Sequence, residues 1–190
     1  MALDIQALLR ETGALLAGHF RLSSGLHSPS YVQCARLLEH PRNAKAIGIA
    51  LGDRVRTLGA QKIVAPALGG VIIGYTVAEA LDLPFVFTER RDGAMTLRRG
   101  FSVGEGERVV IVEDVVTTGK STRETADVIA RSGGVIAGFA SILNRSGKPN
   151  PFDAPYESLL ALSLETFEEG ACELCARGAA LDAPGSRFTR

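Results

Sequence analysis

From Lys62 onward the chain alternates short apolar runs with stretches of helical spacing. Residues 63–67, 85–88, 109–112 and 136–143 predict strands, and residues 71–81 and 121–131 predict helices between them. That alternation implies a parallel sheet with crossover helices. Val109, Val110, Ile111 and Val112 are apolar at successive positions, as a strand covered on both faces requires. A further strand is predicted over residues 158–164. Upstream, Leu8, Leu9, Leu15 and Leu16 fall near helical spacing and predict an amphipathic helix over residues 3–17 that stops at Gly18. Residues 19–31 are dense in serine, glycine and proline and suit short strands and turns. Pro41 opens a helix that runs to about Leu58. The tail from about residue 179, with its Ala183-Pro184-Gly185-Ser186 run, reads as frayed and flexible. The expected fold class is α/β, one domain over residues 1–190, with a central mostly parallel sheet flanked by helices.

Composition narrows the chemistry. Lysine plus arginine equals aspartate plus glutamate at 21 each, so no global field draws the protein to nucleic acid or to an anionic membrane, and any anion site is local. No apolar run approaches the roughly 20 residues of a membrane span, and the N-terminus lacks a basic-then-apolar signal pattern. A cytoplasmic protein is expected. Three cysteines, Cys34, Cys172 and Cys175, do not make a disulfide framework. Cys172 and Cys175 have C-x-x-C spacing without a second pair, and His19, His27 and His40 are scattered along the sequence, so no metal ligated directly by the protein is expected.

The chemistry concentrates after the most apolar strand. Val112 is followed by Glu113 and Asp114, then Val115, Val116, Thr117, Thr118, Gly119, Lys120 and Ser121, where a helix is predicted to begin. Ligands of open α/β sheets bind at the carboxyl ends of the strands, and a helix N-terminus with free amides is a phosphate site. Gly119-Lys120-Ser121 is not a P-loop, because that pattern needs glycine where Asp114 stands, and no G-x-G-x-x-G follows a strand. Two carboxylates beside a phosphate cradle would repel phosphate and therefore face hydroxyls or a metal. A sugar phosphate meets both requirements.

Residues 109–122 closely resemble the phosphoribosyl-pyrophosphate signature of type I phosphoribosyltransferases. The resemblance implies that Glu113 and Asp114 hold the ribose hydroxyls and that residues 117–121 wrap the 5′-phosphate. The stretch from Gly18 to Gly25, with Ser28-Pro29-Ser30-Tyr31, resembles the hood of orotate phosphoribosyltransferases, formed mainly by residues 1–40. By that resemblance Thr117 and Arg145 contact orotate, and a planar guanidinium can grip the orotate carboxylate with two parallel hydrogen bonds. Tyr31 has two readings, a wall against the pyrimidine ring or ordinary packing. Leu68, Gly69 and Gly70 resemble the pyrophosphate loop.

Residues 89–100 carry Arg90, Arg91, Arg98 and Arg99 around Gly93 and resemble the family's mobile catalytic loop. Such a loop closes over the site and neutralises charge on departing pyrophosphate. Arg98 and Arg99 are assigned the catalytic role beside Asp114, and Arg90 a part in phosphoribosyl-pyrophosphate binding. Better-known members carry lysines near the positions of Ser23 and Gly69 and a lysine-rich loop ending in histidine; this chain's loop is arginine-based. The resemblance implies transfer of the ribosyl phosphate to orotate, giving orotidine 5′-monophosphate and pyrophosphate in pyrimidine synthesis, with Mg²⁺ as cofactor and a homodimer as the assembly. Two other readings stay open: a relative acting on another base, and a regulator that binds phosphoribosyl pyrophosphate without turnover.

Overall fold

The computed structural model describes residues 3–22 and 24–184, so residues 1–2, Ser23 and residues 185–190 lie outside the described residues. Helix α1 spans Ile5–Glu11, with the Asp4 carboxylate accepting a hydrogen bond from the Ala7 amide at 2.9 Å. It stops six residues before the predicted end. Gly13, at φ 61°, takes the left-handed turn that ends the helix, and Leu15 and Leu16 enter strand β1 (Leu15–Arg21) instead. Strand β2 (His27–Val32) pairs with it antiparallel in a separate two-stranded sheet. Helices α2 (Cys34–Leu38) and α3 (Pro41–Val55) follow, the second with Pro41 in its first turn, as predicted.

The remaining elements are β3 (Lys62–Pro66), α4 (Gly69–Leu81), β4 (Phe85–Arg91), β5 (Ala94–Leu97), β6 (Arg108–Val116), α5 (Lys120–Arg131), β7 (Val135–Asn144), β8 (Tyr156–Ala161) and a short α6 (Glu173–Ala176). The main sheet has six strands in the order β5-β4-β3-β6-β7-β8, parallel except for β5. The covered strand reads as its sequence required. Val110 and Val112 pack with Ile47, Leu51, Ile73 and Val77 beneath α3 and α4, while Val109 and Ile111 pack with Ile129 and Phe139 beneath α5. All four strand residues are fully buried.

The topology fixes where a ligand can bind. The chain leaves β3 through α4 toward β4, and leaves the adjacent β6 through α5 toward β7, in the opposite direction along the sheet. The two strands therefore diverge at their carboxyl ends, and the crevice between their loops is the switch point of the sheet.

Two expectations change here. The arginine-rich stretch is a β-hairpin, with Glu89 opposite Thr96 and Arg90 opposite Met95, turning at Asp92 and Gly93, both at positive φ. Residues 179–184 are attached to the body: the Asp182 amide donates to the His19 carbonyl, and the Arg21 amide to the Asp182 carbonyl, at 2.8 Å each.

Candidate active site

Strand β6 runs four residues beyond its predicted end, so Glu113 and Asp114 stand within it, still paired alongside β7. Glu113 is buried; its carboxylate accepts from the Asp114 amide at 3.2 Å. Asp114 accepts from the Val115 amide at 2.7 Å. Burial pushes both carboxyls above their usual range, and for Glu113 the neighbouring Asp114 charge adds to the effect. Two acids in one desolvated place favour sharing a proton over carrying two charges, which is the state that hydroxyl donors on a ligand would relieve.

The β3–α4 loop lies directly on these acids. A side-chain carbon at Gly69 would come within 2.8 Å of the Asp114 carboxylate, and one at Gly70 within 2.9 Å of the Val112 carbonyl and 3.2 Å of Glu113 Oε1. Glycine at both positions is what allows the loop backbone to approach the carboxylates. Leu68, the third residue assigned to this loop, is 86% exposed.

After Val116 the chain turns out of the sheet. Thr117 and Thr118 are exposed, Gly119 adopts φ 69°, and α5 begins at Lys120. The Lys120 amide approaches Thr118 Oγ1 at 3.4 Å, a weak contact that leaves the helix start available to an anion. Arg123 braces this turn: its guanidinium donates to the carbonyls of Thr118 and Pro151 and lies over the Phe152 ring at 5.3 Å. Sequence reasoning missed Arg123, because both carbonyls belong to loops whose proximity only the fold reveals.

Arg145 follows β7, its amide donating to the Val116 carbonyl at 2.7 Å. Burial lowers its guanidinium pKa, and Nε is buried with no hydrogen-bond partner among the described residues. Tyr31 of β2 lies close enough to feel both Asp114 and Arg145; its hydroxyl is pushed up chiefly by burial. The Tyr31 ring also packs against Phe20 at 5.7 Å, so it belongs both to the hairpin's packing and to the site's wall. The buried Cys34 thiol, also raised by burial, feels Asp114, Glu113 and Arg145 and was not singled out from the sequence.

The arginines are held by ion pairs. Glu89 meets Arg98 at 3.3 Å and Arg99 at 3.1 Å, and Arg99 sits 5.6 Å from the Phe87 ring centroid. Arg90 pairs with Glu124 of α5, which also lies 3.9 Å from Lys120. Glu124 thus ties the hairpin to the helix that begins the phosphate turn. Its spacing from Lys120, four residues along a helix, was visible in the sequence; its link to Arg90 was not.

The structure brings together a second group that sequence reasoning left apart. His19 and His27 are not scattered but adjacent, with Cys172 and Cys175 beside them. His40 is not among them and lies beside Glu39 on the surface.

Comparison with known proteins agrees with this geometry. The Phosphoribosyl transferase domain profile matches residues 33–172. An orotate phosphoribosyltransferase of Thermotoga maritima is 45% identical over 183 residues, covering 96% of this chain and 98% of the relative. One from Desulforamulus reducens is 41% identical over 184 residues, covering 97% and 96%. Among solved structures, orotate phosphoribosyltransferase from Aeropyrum pernix superposes with a TM-score of 0.68 at 24% identity, covering 84% of this chain and 94% of that one. The Mycobacterium tuberculosis enzyme in complex with inorganic phosphate gives 0.68 at 25% identity, covering 82% and 92%. The match spans well over half of the sequence and the relatives cover nearly all of it, and the chain belongs to the phosphoribosyltransferase family.

Proposed function

We propose that this chain is an orotate phosphoribosyltransferase, a cytoplasmic enzyme of pyrimidine synthesis that joins orotate to the ribosyl phosphate of phosphoribosyl pyrophosphate. The observation that carries the choice of base is Arg145, a half-buried guanidinium near Tyr31 and Cys34 whose Nε has no hydrogen-bond partner among the described residues. A uracil or purine site has no need of a buried cation, whereas the orotate carboxylate supplies its counterion. The names of the relatives at 41–45% identity support the same reading.

In the reaction, a ring nitrogen of orotate attacks the anomeric carbon, the bond to the diphosphate oxygen breaks, and pyrophosphate leaves with the electron pair. Positive charge develops on the ribose ring. Glu113 and Asp114 accept hydrogen bonds from the ribose hydroxyls, residues 117–121 receive the 5′-phosphate on backbone amides and hydroxyls, and the amides of residues 68–70 meet the diphosphate. The protein's part is positioning and electrostatic stabilisation rather than proton abstraction by a strong base. Arg98 and Arg99 neutralise the leaving pyrophosphate once Glu89 releases them, and Arg90 assists in holding the substrate.

The donor set also suits magnesium, a hard cation that keeps substrate oxygens and water in its shell: Asp114 and Glu113 are the carboxylates that would hold it, acting through the ribose hydroxyls. Bound there, the ion would neutralise diphosphate charge. A homodimer is supported by Leu68, Ile72 and Tyr75, exposed at 86, 47 and 60% and spaced to form one apolar stripe along α4.

The test is to mix purified protein with magnesium, phosphoribosyl pyrophosphate and orotate and follow the loss of orotate absorbance, with uracil, hypoxanthine and adenine as controls. Magnesium-dependent consumption of orotate alone is expected, with loss of turnover in Asp114→Asn. Turnover of another base, or binding without turnover, overturns the reading. Sedimentation of wild type and Tyr75→Glu tests the dimer.

A further inference from the structure

The group formed by His19, His27, Cys172 and Cys175 has no part in the reaction above. His19 lies on β1, His27 opens β2, and the cysteines flank the start of α6, some 150 residues later in the chain. Three of the four residues are buried, at 5, 1 and 4% exposure for His19, His27 and Cys172, with Cys175 at the rim.

Each residue presents a ligand-type atom to the same point, and all four atoms lie within 4.8 Å of one another. His19 Nε2 is 3.0 Å from His27 Nδ1, 3.5 Å from the Cys172 sulfur and 3.7 Å from the Cys175 sulfur, which is 3.2 Å from His27 Nδ1. Tetrahedral zinc, with bonds of about 2.0–2.1 Å to nitrogen and about 2.3 Å to sulfur, holds its ligands roughly 3.3–3.8 Å apart. Four of the separations thus stand within about 0.4 Å of a zinc shell, and none of the six exceeds 4.8 Å.

The surroundings orient the rings for ligation. His19 Nδ1 lies 2.9 Å from the Ala179 carbonyl, which fixes the ring proton on that nitrogen and leaves the Nε2 lone pair facing the group. His27 keeps Nε2 buried with no partner among the described residues while Nδ1 faces inward. Nδ1 stands 3.0 Å from His19 Nε2 and 3.2 Å from the Cys175 sulfur, which aims it into the same group.

We propose that His19, His27, Cys172 and Cys175 form a structural zinc site that clasps the N-terminal hairpin to the C-terminal segment. Its ligand set, two imidazoles and two thiolates, is closed and selects zinc. The backbone already crosses at this place: the His27 and Phe167 amides and carbonyls exchange hydrogen bonds at 2.8 Å, and Asp182 pairs with β1. Zinc binding displaces one proton from each thiol, two per ion, and pins β1 and β2, whose Tyr31 reaches the active-site wall. The inference is independent of which base the enzyme uses.

The experiment takes the reduced full-length chain, wild type and Cys175→Ser, His27→Gln and the surface control His40→Gln. Metal analysis, zinc titration against a chelator of known affinity, and cobalt(II) as spectroscopic probe are read on each. Wild type and His40→Gln are expected to hold one zinc per chain, release two protons per ion, and give tetrahedral cobalt bands with thiolate charge transfer. Cys175→Ser, at the rim and least exposed to folding failure, is expected to bind more than about 100-fold more weakly, since loss of a mere supporting hydrogen bond already costs about 10–100-fold. Stripping zinc is expected to lower Tm and speed hydrogen exchange in residues 19–32. Less than a tenth of an equivalent bound after reduction, equal affinity in Cys175→Ser and wild type, or a Cys172–Cys175 disulfide as the resting state that takes no metal when reduced would each overturn the site.

Discussion

The acid-and-turn segment of β6 and the arginine hairpin of β4 and β5 contribute to one site by opposite means. Glu113 and Asp114 are held by burial, by their own backbone amides and by a glycine loop with no room to spare. Arg98 and Arg99 are held by a single carboxylate on a strand near the sheet edge, with side chains 45 and 59% exposed. Placement by packing is rigid and costs desolvation; placement by exposed ion pairs is adjustable and costs little. A site that must recognise a ribose and then follow a departing anion needs both.

The largest expected effect breaks the buried half. Asp114→Asn is expected to lower kcat/KM on the order of 10²–10³-fold, as for loss of one preorganised polar contact to the reacting group. Glu113→Gln is expected to lose activity similarly but to gain stability, because the amide keeps an acceptor for the Asp114 amide and removes a charge from a desolvated site. The sign follows from linkage. A carboxyl raised in the native state holds its proton there at a pH where the unfolded chain has released it, so wild-type stability falls as pH rises from about 4 through the raised native value and is level above it. The variant lacks that fall. At neutral pH it is expected to be more stable by roughly 1–2 kcal/mol, or about 2–8 °C in Tm, and to lose this advantage below the ordinary carboxylate pKa. Calorimetry across pH checks it; a variant no more stable at neutral pH would show that the pair is not strained by burial.

Arg145→Ala comes next. Truncating one partner of a buried charge pair costs about 2–5 kcal/mol, which predicts a loss of roughly 30- to 3000-fold in kcat/KM for orotate. Binding of phosphoribosyl pyrophosphate alone should change little, since the acids and the phosphate turn remain. Equal losses for both substrates would place Arg145 in the scaffold instead. Gly69→Ala sharpens the packing argument: its new carbon would stand 2.8 Å from the Asp114 carboxylate, so the loop or the acid must move. Overpacking costs about 1–3 kcal/mol, and if that strain falls on the acid it predicts a roughly 5- to 150-fold loss of kcat/KM.

The two halves also differ in how they were legible. Glu113 to Ser121 are consecutive, so one strand-to-helix transition brings the acids and the phosphate turn together and local sequence suffices. The mostly parallel sense of the sheet followed from the alternation of apolar runs and helices, with covered strands apolar at successive positions, whereas the strand order came only with the structure. The ends of elements were less readable. Residues 3–17 have helical spacing, but Gly13 stops the helix and the leucines beyond it serve a hairpin. The arginine stretch looked irregular because few of its residues are apolar, yet Met95 is buried and Asp92-Gly93 makes a tight turn between two strands. Pairings across the chain left no local trace: Arg123 with Pro151, Arg90 with Glu124, and the two histidines with the two cysteines all depend on the folded topology.

The smallest expected effect bears on the adjustable half. Glu89→Gln removes the charge that holds Arg98 and Arg99, and exposed pairs of this kind contribute roughly 0.2–1 kcal/mol, so stability should barely change. Activity is the informative readout. If Glu89 restrains the arginines until pyrophosphate forms, the variant frees two positive charges at the start, and the KM for phosphoribosyl pyrophosphate should fall by about 1.4- to 5-fold, the equivalent of that same energy. The advantage should disappear as salt is raised, because exposed charges are screened within about 10 Å at moderate ionic strength. A KM unchanged at low salt, with kcat also unchanged, would mean that Arg98 and Arg99 do not act on the diphosphate even when freed from Glu89, and the leaving pyrophosphate would then have to be neutralised by the backbone amides of residues 68–70 and its own counterion.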